Sequence, residues 1–141
     1  MNILSILNDN ARTSARAIAE KIGVSTGTIY SHLSKMTKKG VIRGYIPLLD
    51  HTKIGYIFTA LMLIQAEGEH ITDVEEILAS AKEVMAVYDI TGEFDIAVLA
   101  KFRQKSTLNQ FIKSVLKMPH VHRTVTNMVL NVVKEDPRIL V

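Results

Sequence analysis

With 141 residues, no cysteine and a formal charge of +3, the chain has room for one ordinary domain or two small ones; disulfides, thiolate metal sites and cysteine catalysis are excluded. Its 48% hydrophobic and 22% charged residues suit a globular fold, and a mean hydropathy of +0.18 predicts apolar surface buried between subunits. The longest uncharged stretch, Ile54 to Ala66, is too short to span a bilayer, and the start lacks signal-peptide character, so a cytoplasmic protein with no membrane partner is expected.

The first fifty residues read as three short helices. Ile3, Ile6 and Leu7 share one face of the first, which Asn8-Asp9-Asn10 can end. Thr13 or Ser14 can cap the second, whose apolar face is Ile18, Ala19 and Ile22, and Gly23 stops it. Val24 is expected to plug the small core. Ser25 caps the third helix, where Ile29, Leu33 and Met36 recur at helical spacing before Lys38-Lys39-Gly40 closes it. Helix, short Gly turn and capped helix form the helix-turn-helix pattern.

Charge gives that pattern a partner. Residues 1–50 carry seven Lys/Arg against three Asp/Glu, whereas residues 51–141 carry ten against eleven. A basic half joined to a near-neutral half is expected when only one half meets phosphates. In such motifs the N-terminal part of the second helix of the motif reads base edges, and flanking Lys and Arg touch the backbone. The expected base or near-base contacts are Thr26, Thr28, Tyr30 and Ser31, with Ser25 and His32 beside them. The expected phosphate contacts are Arg12, Arg16, Lys35, Lys38, Lys39 and Arg43. A protein-interaction module is the competing reading of three helices with a polar third one, and the basic surplus argues against it.

After Gly40 the period changes. Val41 to Ile46 reads as a strand that Pro47 ends, and residues 47–55 read as a linker. Two copies of one unit follow, offset by about 37 residues. Strand 57–66 matches strand 94–102, helix 70–80 matches helix 106–117, and strand 84–91 matches strand 121–133. Ile71, Val74 and Leu78 correspond to Leu108, Phe111 and Val115. Doubling a strand-helix-strand unit gives a ferredoxin-like βαββαβ domain. The whole is therefore expected to be α+β: a winged-type helix-turn-helix over 1–46, a linker over 47–55, a ferredoxin-like domain over 56–135 and a tail over 136–141. Because apolar residues fill both alternating sets of strand positions, a second subunit is expected to cover one sheet face. Two helix-turn-helix units related by a two-fold axis would read a roughly palindromic duplex.

The chain resembles the Lrp/AsnC family, the leucine-responsive or feast/famine regulators. The matching residues are Arg12, Ser14, Ile18-Ala19, Gly23-Val24-Ser25, Ile29, Gly40-Val41-Ile42 and Gly44-Tyr45. In the second domain they are Thr91-Gly92-Glu93-Phe94-Asp95, in the turn between the two central strands, and Thr124-Val125-Thr126 on the last strand. His32 stands where the family usually has Arg. The resemblance covers roughly residues 1–135. It implies a DNA-binding transcription regulator that dimerises through its second domain, often assembles further into octamers, and binds amino acids or related metabolites between dimers. Carried over by position, effector contacts fall on Thr91, Gly92, Glu93, Phe94 and Asp95, with Thr124, Thr126, Asn127 and Met128 behind them. Backbone N–H groups of a Gly turn suit a carboxylate, and Glu93 or Asp95 would suit an ammonium group.

Other signals are weaker. Glu93 and Asp95 as a catalytic pair read better as a solvated hairpin, so no enzyme is expected. His120 and His122 sit two apart with no third ligand evident, so neither metal nor cofactor is expected. Glu75-Glu76 reads as the wet side of a helix, and the methionines as packing. An architectural protein coating DNA with low sequence preference is the runner-up function, and a metabolic enzyme or metabolite-binding module on a ferredoxin-like base stands behind it.

Overall fold

Side-chain caps set the first three helices, as shown by a computed structural model that describes residues 2–139. Asn2 caps α1 (Ile3–Asp9), its Oδ1 accepting from the Ser5 N–H at 2.8 Å. Ser14 caps α2 (Ala15–Ile22), with its Oγ accepting from the Ala17 N–H at 3.1 Å. Gly23 ends that helix at φ +82°, a left-handed conformation glycine adopts without a Cβ penalty. Ser25 then caps α3 (Thr26–Lys38) through the Thr28 N–H at 3.1 Å. These caps satisfy amide groups that the first helical turn leaves open. Ile6, Ile18, Ala19 and Ile29 form the buried core, with Ile3, Leu7, Ile22 and Leu33 packed around it. Val24 does not plug that core. It is 41% exposed and lines an open recess of about 340 Å³ with Ile3, Ile22, Thr28, His32 and Met36.

Residues 41–46 form no strand. The Val41 and Ile42 N–H groups turn back to the Met36 carbonyl at 2.9 and 3.3 Å and finish the end of α3. A strand exists only when a neighbour takes its hydrogen bonds, and beyond Ile42 none does among the described residues. Residues up to Leu48, together with the chain's end from Lys134, form one compact unit, and Leu49–Val133 form a second. The end is tied within its own unit: Asn8 Nδ2 donates to the Ile139 carbonyl at 2.5 Å. The Arg138 guanidinium forks onto Asp136, lowering that carboxyl to about 2. Residues 140 and 141 of the expected tail, and residue 1, lie outside the described residues.

The second unit has the expected doubled topology. Its strands are β1 (Phe58–Ala66), β2 (Val84–Asp89), β3 (Ile96–Phe102) and β4 (Val121–Met128), and its helices are α4 (Ile71–Ser80) and α5 (Lys105–Leu116). The sheet order is β2-β3-β1-β4 with every pair antiparallel. Alternation along β1 sends Ala60, Met62, Ile64 and Ala66 into the core, where Ile96, Val98, Ala100 and Phe102 of β3 meet them. Val74 and Leu78 of α4 and Leu108, Phe111 and Val115 of α5 close this face, so the repeat falls on matching core positions. The opposite face carries Leu61, Leu63, Tyr88, Leu99 and Val125, and α4 and α5 both pack on the other one. β4 stops five residues short of the expected end because its partner runs out: the Val129 N–H reaches the Thr59 carbonyl at 2.9 Å, one residue from the start of β1.

Glu75 departs from its expected wet position. One of its carboxylate oxygens is buried with no hydrogen-bond partner among the described residues. Burial first, and the nearby Asp89 carboxylate second, raise this carboxyl above its ordinary value. A raised acid contributes its full stability below its unfolded pKa and loses it as pH rises through the folded value. Glu75→Gln is therefore expected to raise the melting temperature at pH 7 and to change little at pH 4, read by thermal melts at both. A lower Tm at pH 7 would show that the ionised carboxylate is needed.

Candidate DNA interface and effector turn

The third helix presents two unlike sides. Ile29, 1% exposed, sits in the core with Leu33 packed against it and Met36 half-buried beside them. At 3.6 residues per turn the opposite side is Gly27, Ser31, Ser34, Lys35 and Lys38, and all five are exposed. Thr26 is half-buried, and Tyr30, 63% exposed, lies toward the edge of this side. Thr28 and His32 flank the apolar recess instead. The Ser25 and Thr28 hydroxyls are also bonded to each other at 2.8 Å, so part of their hydrogen-bonding capacity is spent on the cap. Ser34 was missed among the expected contacts, although its place on the outward side follows from helical spacing alone.

Charge around this surface is one-sided. The helix has no acidic residue, and among the described residues Arg12, Lys35, Lys38, Lys39 and Arg43 have no carboxylate within ion-pair distance. Arg16 differs, its Nε lying 3.1 Å from Glu20 Oε1 in an exposed i,i+4 pair. Such pairs hold the side chain weakly, so Arg16 remains displaceable by a phosphate.

The turn after β2 is built from backbone upward. The Ile90 N–H donates to the Asp95 carbonyl at 2.8 Å, and the Asp95 N–H to the Ile64 carbonyl at 3.0 Å. Asp95 Oδ2 accepts from the Ala66 N–H at 2.8 Å, which anchors the turn to β1. β2 is an edge strand, so the turn joins an edge strand to a central one. Gly92 has φ +117°, a region L side chains rarely enter. Among the described residues no hydrogen bond takes up the N–H groups of Gly92, Glu93 and Phe94. Arg123 of β4 closes over the turn: its guanidinium donates to Glu93 Oε1 at 2.8 Å and lies 5.3 Å from the centre of the Phe94 ring.

The expected effector residues on β4 do not share one face. Thr124, Thr126 and Met128 stand opposite Ile64, Met62 and Ala60 on the helix side of the sheet. Asn127 stands opposite Leu61 and Arg123 opposite Gln65, on the other side. Arg123, absent from the expected set, is the β4 residue that touches the turn.

Comparison with known proteins agrees with both halves. Residues 59–139 match the Lrp/AsnC ligand binding domain, more than half of the chain. The chain belongs to the Lrp/AsnC family. Residues 1–43 match a winged helix-turn-helix DNA-binding model. An HTH-type transcriptional regulator of Pyrococcus furiosus is 46% identical over 97% of this chain and 93% of its own length. Among solved structures, AsnC of E. coli is 27% identical with a TM-score of 0.85, covering 94% of this chain and 91% of that one. A transcriptional regulator of Neisseria meningitidis in complex with L-Met shares the fold at 20% identity and a TM-score of 0.87, covering 98% of this chain and 92% of that one.

This Lrp/AsnC chain is thus a DNA-binding transcription regulator with a ligand-binding domain, in a family of regulators rather than enzymes. No helix among its described residues is long and apolar enough to cross a membrane. Its α3 corresponds in place to the second helix of the helix-turn-helix motif, and its four-stranded sheet lies within the ligand-binding match.

Proposed function

We propose that this cytoplasmic regulator reads a specific, roughly palindromic duplex as a homodimer or higher oligomer such as an octamer, and that an amino acid or related metabolite modulates its DNA binding or assembly. The observation that carries the DNA half is the outward side of α3, polar and cationic with no acid on the helix. Tyr30 and Ser31 lie toward base edges, with Ser25 and Thr26 at the start of the helix beside them, while Thr28 and His32 keep to the recess; Arg12, Arg16, Lys35, Lys38, Lys39 and Arg43 meet phosphates. The sheet face bearing Leu61, Leu63, Tyr88, Leu99 and Val125 supports pairing with a second copy, because Leu61 and Tyr88 stay exposed there and apolar surface of that kind favours burial.

The effector half rests on the turn. Three unengaged N–H groups at Gly92, Glu93 and Phe94 suit a carboxylate, with Thr91 beside them and Thr124, Thr126, Asn127 and Met128 as the outer candidates. Arg123 supplies a second carboxylate partner if it leaves Glu93, and the freed Glu93 then suits an ammonium group. Asp95 anchors the turn rather than facing the ligand. The L-Met complex of the Neisseria relative supports an amino acid as the first ligand to try.

A thermal-shift screen of the amino acids tests this reading, since a ligand selective for the native assembly raises Tm by mass action. Arg123→Ala is expected to remove the response of DNA affinity to that ligand while basal affinity stays within about twofold, because the side chain engages Glu93 and Phe94 of its own unit. An intact response in Arg123→Ala would move the sensor away from this turn. Specificity separates the regulator from an architectural coat. At matched salt the selected duplex should be bound about a thousandfold tighter than random DNA, and near-equal affinities would favour the coat.

A further inference from the structure

At the loop after β1, three ligating side chains from distant parts of the chain converge. Glu67 and His70 come from the segment between β1 and α4, and His120 from the turn before β4. Their ligating atoms all lie within 4.8 Å of one another. His120 Nδ1 is 2.7 Å from Glu67 Oε2, and the two imidazoles stack with centroids 3.6 Å apart and planes 16° apart. The Glu67 N–H donates to the His120 carbonyl at 2.8 Å, so the backbone joins the two halves of the cluster.

We propose that Glu67, His70 and His120 form a binding site for a divalent first-row transition metal ion such as Zn²⁺. Two imidazoles and one carboxylate are the ligand set such an ion takes when it keeps open coordination positions for water or another molecule. The supporting shell is present: Asp73 Oδ2 lies 3.0 Å from His70 Nδ1, which orients the ring and leaves Nε2, with the exposed Glu69 Oε1 3.8 Å away, to serve as ligand. His120 is held at φ +69° and is the one non-glycine among the described residues with positive φ, a conformation kept where a site requires it. All three side chains reach solvent, with between a third and a half of their area exposed. An ion therefore has an entry path; because a metal lies in the plane of each imidazole it bonds, the two rings leave their stacked arrangement by side-chain rotation to reach the roughly 2 Å bonds zinc makes. His122, two residues along, is a bystander in this assignment. The site does not depend on the effector reading of the turn.

Titration of the full-length, chelator-treated protein with ZnCl₂ tests the assignment. One ion per chain with a Kd in the micromolar range or below is expected. His70→Ala, His120→Ala and Glu67→Gln should each weaken binding at least about tenfold, and Asp73→Asn about tenfold through the supporting shell. His32→Ala, His51→Ala and His122→Ala should leave it unchanged. Histidine ring NMR of the unmodified protein with Co²⁺ gives a readout independent of variant folding, with the His70 and His120 signals broadened first. Millimolar zinc affinity, equal affinity in the three ligand variants, or broadening first at His32, His51 or His122 would overturn the site.

Discussion

Replacing Lys35 and Lys38 together by glutamate lowers affinity for the selected duplex by at least about a hundredfold at 0.1 M salt, with the oligomer and its melting temperature nearly intact. Both side chains are exposed on α3 opposite its buried Ile29, and neither has a carboxylate partner among the described residues. Removing them therefore breaks no ion pair within the fold, and the cost of placing acids near the helix C-terminus is about 1 kcal/mol or less each. On DNA each lysine would release a condensed counterion, and log Kobs falls with log salt at a slope of about 0.9 per phosphate contact. The double variant should thus show a shallower slope as well as weaker binding, because contacts are lost and repulsions gained. Fluorescence anisotropy across a salt series reads both quantities. Parental affinity with an unchanged slope would place the DNA on another face and refute the role given to α3.

The second large effect concerns the core of the same unit. Ile29→Ala truncates one of the four buried residues of that core, the others being Ile6, Ile18 and Ala19. Truncating a buried Ile to Ala costs about 2–5 kcal/mol through lost transfer energy and the cavity left behind. A unit of this size has a total stability of only a few kcal/mol, at about 0.05–0.15 kcal/mol per residue. The substitution is therefore expected to unfold the helical unit at 37 °C and abolish specific DNA binding. The sheet unit has a separate core that runs from Ala60 to Val115, and it should remain folded and associated. Amide spectra with collapsed signals for residues 2–48 and dispersed ones for 58–128 would establish this. Uniform loss of dispersion would mean that the two cores fold as one.

Much of this architecture is local and was legible. Ser14, Gly23 and Ser25 act within one helical turn of their own positions, so residue type alone locates the ends of α2 and the start of α3. The repeat spacing placed Val74 and Leu78 of α4 in register with Phe111 and Val115 of α5, and all four are buried. The basic surplus of the first half was equally plain, because charge can be counted without coordinates.

Where the reading failed, a second segment decided the outcome. Residues 41–46 have strand-like composition but no neighbour to bond. Val24 is apolar, yet the recess beside it stays open. Glu75 sits on α4 with one oxygen buried and Asp89 of β2 nearby, a fact of packing that spacing does not disclose. Arg123 went unnoticed for a similar reason, since only strand pairing discloses that Thr124 and Thr126 face the helices while Arg123 reaches the turn.

The amino-acid order alone determined the helix caps, the repeat and the side of the molecule that carries positive charge, since these depend on neighbours within a few residues or on simple counts. Tertiary structure alone decided that Asp95 ties the turn to β1, that Arg123 covers Glu93, and that His120 meets Glu67 and His70 from some fifty residues away. Those contacts arise from β1 pairing with both β3 and β4, and a pairing between distant strands is a property of the closed sheet, not of any stretch of chain within it.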